Sequence, residues 1–267
     1  MSVFGPDPAK VIEIGNIDQG SAKRLEGDIY VLCFYVGTPS APVNAQVHGP
    51  WGEELAEAEW WLMQQAANYG KRLNFKNACY GLNGELTLPP EEIPDGPEVP
   101  DAFFFAETVY KKQGFKNGWD VSEFIRRNLT DCKQWISIIL CNTMGRSFAC
   151  PVDKKLVSFN DKLFYLENCV VYRYEPWAPF GKTSSASLAH EILHLFGASD
   201  LYAHNDEERA FEKECRCRYP DSIMLGSPAG LRNNDVDEIT AWLVGWGMRP
   251  NRLPNYNNRV VGDDKSS

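Results

Sequence analysis

Two imidazoles and a carboxylate, from His190, Glu191 and His194, sit together in the segment HEILHLFGASDLY, which also contains Gly197 and Asp200. On an α-helix, residues four apart share a face, so His190 and His194 can both reach one ion at about 2.0–2.1 Å. Glu191 is turned by about 100° from His190. It is too far round to ligate the same ion, yet near enough to take a proton from a water that the ion activates. Gly197 can adopt a left-handed conformation and stop the helix without a Cβ penalty. The chain can then turn back, and Asp200 offers a third ligand that leaves the fourth tetrahedral position of a zinc ion open. The spacing therefore predicts one catalytic Zn2+ held by His190, His194 and Asp200, with Glu191 as general base. His204, ten residues past His194, is a rival third ligand. The same helix is apolar nearly all round through Leu188, Ala189, Ile192, Leu193, Leu195 and Phe196. It therefore also fits a buried helix whose histidines bond to backbone carbonyls.

The extended pattern HExxHxxGxxD resembles the zinc-binding consensus of the metzincin metallopeptidases, in the aspartate variant carried by snapalysin-type peptidases. Asp200-Leu201-Tyr202 is similar to theirs as well. Asp221-Ser222-Ile223-Met224 resembles the methionine turn that metzincins place beneath the metal, which implies a supporting role for Met224. Residues 145–150 resemble the edge strand on which metzincins receive substrate. Arg146, Ser147, Phe148 and Ala149 are thus candidates for pairing with an extended peptide, and an ordinary hairpin arm is the other reading of that run. Residues 225–230 correspond by resemblance to the loop lining the pocket beyond the scissile bond. Some metzincins carry a tyrosine two residues after the turn methionine, where this chain has Gly226. That leaves Tyr202 and Tyr219 as candidates for holding the oxyanion.

The resemblance implies a zinc-dependent endopeptidase, a hydrolase acting on polypeptide substrates. It also implies an α/β (α+β) zincin fold: a mixed twisted sheet, a long backing helix, an active-site helix, a methionine turn and a C-terminal helix. Two alternatives stay open, a catalytically silent metzincin-like binding protein and a zinc amidohydrolase acting on a small substrate. The intact Glu191 speaks against the first, because a purely structural site has no use for a base. Activity is expected near neutral pH or above, with loss in acid as His190 and His194 protonate and release metal.

Composition narrows the classes further. The chain has 267 residues with 43% apolar and 12% aromatic content, enough for one large core with an insertion. A formal charge of −9 and the lack of a Lys/Arg cluster argue against nucleic acid or an anionic membrane as partner. Its acid is concentrated in 53–59, 91–101 and 205–214, which reads as solvated surface. The longest apolar run, 29–36, is strand-sized, and no stretch is long enough to span a membrane. A monomer is expected. Eight cysteines favour an oxidising, exported setting, although MSVFGPDPAK lacks the basic start and apolar core of a signal peptide. Cys33, Cys141 and Cys169 lie in apolar runs and read as buried thiols, whereas Cys79, Cys132, Cys150, Cys215 and Cys217 have more polar surroundings. His48 is expected in a loop.

The elements that must position the zinc helix follow from periodicity. Residues 29–36 read as a buried strand, 52–72 as a long helix and 73–82 as a second strand. The proline- and acid-rich stretch 88–101 reads as exposed loop. Short helices follow at 102–113, capped by Asp101, and at 121–129, capped by Asp120. Strands are expected at 135–141 and 169–174, and a last helix opened by Asn233. The resulting division is an N-terminal segment at 1–28, a catalytic domain at 29–248 with a helical insertion at about 87–133, and a disordered tail at 249–267.

Overall fold

From Ile29 onward, uncharged and mostly β-branched or aromatic residues form the first strand, β1 (Gly27–Val36), because a strand covered on both faces needs apolar side chains in both directions. The structure is a computed structural model describing residues 24–96, 101–128, 134–150, 167–175, 184–226 and 230–251. Strands β2 (Leu73–Tyr80), β3 (Gln134–Met144), β4 (Phe148–Cys150) and β5 (Asn168–Tyr174) complete a mixed sheet in the order β2-β1-β3-β5-β4. Only β4 runs antiparallel, pairing Phe148 with Val170 and Ala149 with Cys169. The protein is thus a mixed α/β fold with a mostly parallel five-stranded sheet. Among the described residues, no helix is long and apolar enough to cross a membrane.

One face of the sheet is covered by the long helix α1 (Ala45–Asn68) and by α4 (Ser185–Leu195). Trp51, Leu55, Ala58, Leu62 and Ala66 of α1 pack with Ile29, Val31, Ile136, Ile138 and Val171. Helix α1 starts earlier than the expected residue 52. Asn44 accepts from the N–H groups of Gln46 and Val47 at 3.0 and 3.2 Å, and Pro50, near the start, forfeits little of the ladder. His48 therefore lies on a helix rather than in the expected loop, with its ring edge-on to Tyr35 at 6.1 Å. Helix α1 also grips α4 and the neighbouring strand: Ser185 Oγ donates to Glu57 at 2.8 Å, and Arg173 pairs with Glu54 at 2.8 Å.

The opposite face is covered by α2 (Asp101–Lys112) and α3 (Gly118–Asn128). Phe105, Val109, Tyr110, Val121 and Ile125 pack there on Leu32, Phe34, Ile139 and Val170. What reads as an insertion along the chain is the second layer of the fold, since without it those strand side chains would face water. Within the proline-rich loop, Leu88 and Ile93 are buried rather than exposed and join the same layer. Helix α3 is opened by Asn117, whose Oδ1 accepts from the N–H of Asp120 at 2.9 Å, so Asp120 lies inside the helix instead of capping it.

Helix α5 (Arg209–Arg218) follows the metal segment, and α6 (Glu238–Leu243) closes the domain. The residue that opens α6 is Asp237, not Asn233, because 231–233 form a 3-10 turn of their own. Asp237 is buried. One of its oxygens accepts from the N–H groups of Ile239 and Thr240, and the other accepts at 2.6 Å from the hydroxyls of Ser222 and Thr240. The N-terminal boundary begins before residue 29, since Leu25 is fully buried and its N–H donates to the Val244 carbonyl at 3.1 Å. Residues 252–267 of the expected tail lie outside the described residues. Cys215 is buried with Cys33, Cys141 and Cys169, whereas Cys79 and Cys217 are exposed. Cys132 lies outside the described residues.

A buried carboxylate on α1 yields a stability prediction. Glu59 accepts from Asn77 at 3.0 Å through Oε2, while Oε1 has no hydrogen-bond partner. Burial pushes its carboxyl up to about 7, against the pull of the Asn77 bond. A folded-state value above the unfolded one means that stability is full below the unfolded value and declines as pH rises through about 7. Glu59→Gln should therefore raise stability at pH 8 by about 1–3 kcal/mol and change little at pH 4. Urea denaturation at the two pH values measures the difference, and an equal effect at both would refute the assignment.

Candidate metal centre

Helix α4 is capped by Ser184, which has an extended backbone and an Oγ that accepts from the Ser187 N–H at 3.4 Å. Leu188, Ala189, Ile192, Leu193 and Leu195 are buried. The two histidines look out from the remaining face, with side chains 12% and 16% exposed. The helix ends at Phe196, and Gly197 follows at φ +102°, a conformation suited to glycine. This turn brings the Ala198 carbonyl under the His194 ring and delivers Asp200 to the same spot.

The ligand atoms converge. His190 Nε2 and His194 Nε2 stand 3.0 Å apart, and each lies 3.2 Å from Asp200 Oδ1. On the far side of each ring, Nδ1 donates to a carbonyl: His190 to Ile223 at 3.1 Å and His194 to Ala198 at 2.8 Å. Those bonds place the neutral-ring proton on Nδ1 and leave both Nε2 lone pairs facing inward. Asp200 Oδ1 is buried and lacks a hydrogen-bond partner. Three electron-rich atoms this close repel one another unless positive charge lies between them. A proton on one Nε2 serves two of them at most, whereas a metal ion serves all three. Tetrahedral ligands of a zinc ion stand about 3.3 Å apart, close to the observed spacing. The donor set of two imidazoles and one carboxylate, with one coordination position left over, fits zinc.

Burial disfavours the charged form of Asp200, but the three surrounding histidines outweigh it and hold the carboxyl well below the usual range. His204 lies behind this carboxylate, its Nε2 3.1 Å from Asp200 Oδ2. It orients the aspartate from outside the converging set. His204→Ala should weaken zinc affinity by about 10–100-fold, the effect of losing an outer partner. Competition against a chelating dye measures this, and a loss as large as that of His190→Ala would make His204 a ligand instead.

Glu191 is buried beside the cluster, and its Oε2 has no hydrogen-bond partner. Burial above all, with Asp200 and Glu175 adding to it, pushes its carboxyl up to about 8 against the pull of His190 and Arg146. A cation at the ligand atoms would favour the ionised form, which can accept a proton. Met224 is fully buried in the 3-10 turn Ile223–Leu225, and its carbonyl accepts from the Leu201 N–H at 2.8 Å. The turn therefore holds the stretch from His190 to Leu201 twice, through Leu201 and through His190.

The two candidate tyrosines part company. Tyr219 donates its hydroxyl to Glu238 at 2.6 Å and is committed to α6. The Tyr202 ring stacks beside His190, with centroids 6.4 Å apart and planes 19° apart. A Cβ on Gly226 would stand 3.1 Å from that ring, so glycine at this position makes room for Tyr202. Of the four edge-strand candidates, Phe148 and Ala149 lie in β4 at the end of the described sheet. Arg146 and Ser147 lie just before it, because the Ser147 N–H turns to Glu175 Oε1 at 2.9 Å instead of joining the ladder. Glu175 went unnoticed in the sequence, where it looks like an ordinary acid after a strand. The bond from Ser222 to Asp237 that braces the Ile223–Leu225 turn also carries no local signal.

The sequence matches no family model and no curated protein. Among solved structures, one described as "Structure of a chaperone-substrate complex" is similar to 68% of this chain at 15% identity and a TM-score of 0.37. This chain spans about a quarter of that one, 25% of its length.

Proposed function

We propose that this chain is a zinc-dependent endopeptidase of metzincin-like type. The observation that carries the reading is the convergence of His190 Nε2, His194 Nε2 and Asp200 Oδ1 within 3.0–3.2 Å of one another, with a buried, unpartnered carboxylate alongside. The order of long helix, edge strand, histidine helix, methionine turn and last helix supports it.

His190, His194 and Asp200 would hold the metal. Bound there, zinc would supply a Lewis acid that polarises the scissile carbonyl and makes water a nucleophile near neutral pH. Glu191 takes one proton from the attacking water, whose oxygen bonds to the carbonyl carbon. As the C–N bond breaks, Glu191 returns that proton to the departing amine nitrogen. An extended peptide lies along β4, which offers backbone N–H and C=O groups irrespective of side-chain sequence.

The test is metal analysis combined with digestion of a proteome-derived peptide library. One zinc per chain and internal cleavage that a chelator stops are expected. Bound zinc with every peptide intact would favour a silent binding protein, and turnover confined to small amides would favour an amidohydrolase.

A further inference from the structure

Away from the histidine helix, the parallel register of β1 and β2 sets Cys33 directly against Cys79. Side chains alternate along a strand, so the neighbours of each thiol fix the face it takes. Cys33 lies with Ile29, Val31 and Tyr35 in the cluster beneath α1. On β2, Leu73 and Phe75 pack into that cluster and Asn77 donates to Glu59 of α1 at 3.0 Å, so Cys79, two residues on, takes the same face. Paired positions of neighbouring strands stand about 4.7–4.9 Å apart, inside the Cα range of about 4.4–6.8 Å that a disulfide spans. Access divides the two. Cys33 is fully buried, whereas Cys79 is exposed on a strand at the end of the described sheet. Two other thiols of the sheet are placed differently. Cys169 shares the face, but Ile138 of β3 stands between it and Cys33, which puts it about 9–10 Å away and out of reach. Cys141 belongs to the opposite face.

We propose that Cys33 and Cys79 form a redox site that a small-molecule disulfide, of the glutathione disulfide class, closes reversibly into a cross-strand disulfide. The Cys79 thiol gives its proton to solvent, and the thiolate attacks one sulfur of the small disulfide, breaking its S–S bond and expelling one thiolate. Cys33 then loses its proton and attacks the Cys79 sulfur of the mixed disulfide, expelling the second. Two protein thiols are thereby oxidised, and one small disulfide is reduced to two thiols. Burial sets the order, because the reagent reaches Cys79 and not Cys33. Hydrogen bonding from Cys33, above all, holds the Cys79 thiol below its ordinary value and enlarges its thiolate share. A disulfide brings its Cβ atoms to about 3.8 Å, roughly 1 Å closer than the strand spacing. Within the described sheet β2 is paired on one side alone, so it can make that approach. A bond closed against the resting spacing is the more easily reduced, which makes the site reversible. This inference is independent of the zinc reading, since neither thiol is among the proposed ligands.

The experiment incubates the full chain, Cys79→Ser and Cys33→Ala with glutathione disulfide and glutathione at graded ratios. Remaining thiols are alkylated, and the digest is mapped by mass spectrometry without reduction. Wild type should yield a linked peptide pair joining Cys33 to Cys79, which dithiothreitol separates. That pair should be lost in both variants, and Cys33→Ala should retain one glutathione on Cys79 because the resolving thiol is gone. Cys79→Ser changes an exposed position and Cys33→Ala keeps a small apolar side chain in the core, so the two variants check each other for folding. Wild type holding glutathione on Cys79 as fully as Cys33→Ala would overturn the inference. A Cys79 that stays reduced across the series, or that links in preference to another cysteine, would do the same.

Discussion

Glu191→Ala is expected to keep one zinc per chain while losing about 10²–10⁴-fold in kcat, the range that a positioned acid–base group contributes. The two halves of this result have separate physical causes. Metal retention follows because the donors are His190, His194 and Asp200, whereas Glu191 is turned off their face of the helix. Loss of turnover follows because the two carboxylates that act on Glu191 are engaged: Asp200 faces the histidines, and Glu175 accepts from the Ser147 backbone. Folding should not suffer, since the substitution removes a buried carboxylate whose ionisation burial disfavours, pushing it up to about 8. Glu191→Gln provides the isosteric control and should be equally slow, because an amide fills the same space without accepting the proton. Atomic absorption and single-turnover cleavage read both halves. Zinc loss in Glu191→Ala would instead make this residue a ligand.

Zinc itself should produce the other large effect. Three donor atoms stand within 3.2 Å of one another, so an ion seated among them would bond to all three at once. At a free zinc concentration of about a thousand times Kd, linkage adds roughly 4 kcal/mol to stability. For a chain of this size that corresponds to a rise in melting temperature on the order of 10 °C. His194→Ala should abolish both the rise and all cleavage if its imidazole is a ligand as proposed, its other nitrogen being already committed to the Ala198 carbonyl. Calorimetric melts with and without zinc test this directly. An equal rise in His194→Ala would place the stabilising ion elsewhere.

The strands and the zinc-type helix were legible in the amino-acid order, because each depends on a short repeat. Uncharged runs at 29–36 and 135–141 lie within β1 and β3, and the 169–174 run lies within β5. Spacing of four between His190 and His194, with glycine three residues on, was enough to anticipate a shared face and a helix stop. Helix starts were read less well at residue 52, Asp120 and Asn233. Residue type suggests several possible caps in each case, and only the hydrogen bonds of Asn44, Asn117 and Asp237 choose among them.

What the order of residues determined by itself is local: which side chains share a helical face, where that helix stops, and which runs can be buried as strands. Tertiary structure alone decided what meets across the chain. It set Tyr202 against Gly226, placed His204 behind Asp200, and turned the 101–128 helices into a layer of the core. The reason is range. Helical and strand periodicities act over a few residues, whereas these contacts join distant segments whose approach is set by packing both faces of one sheet.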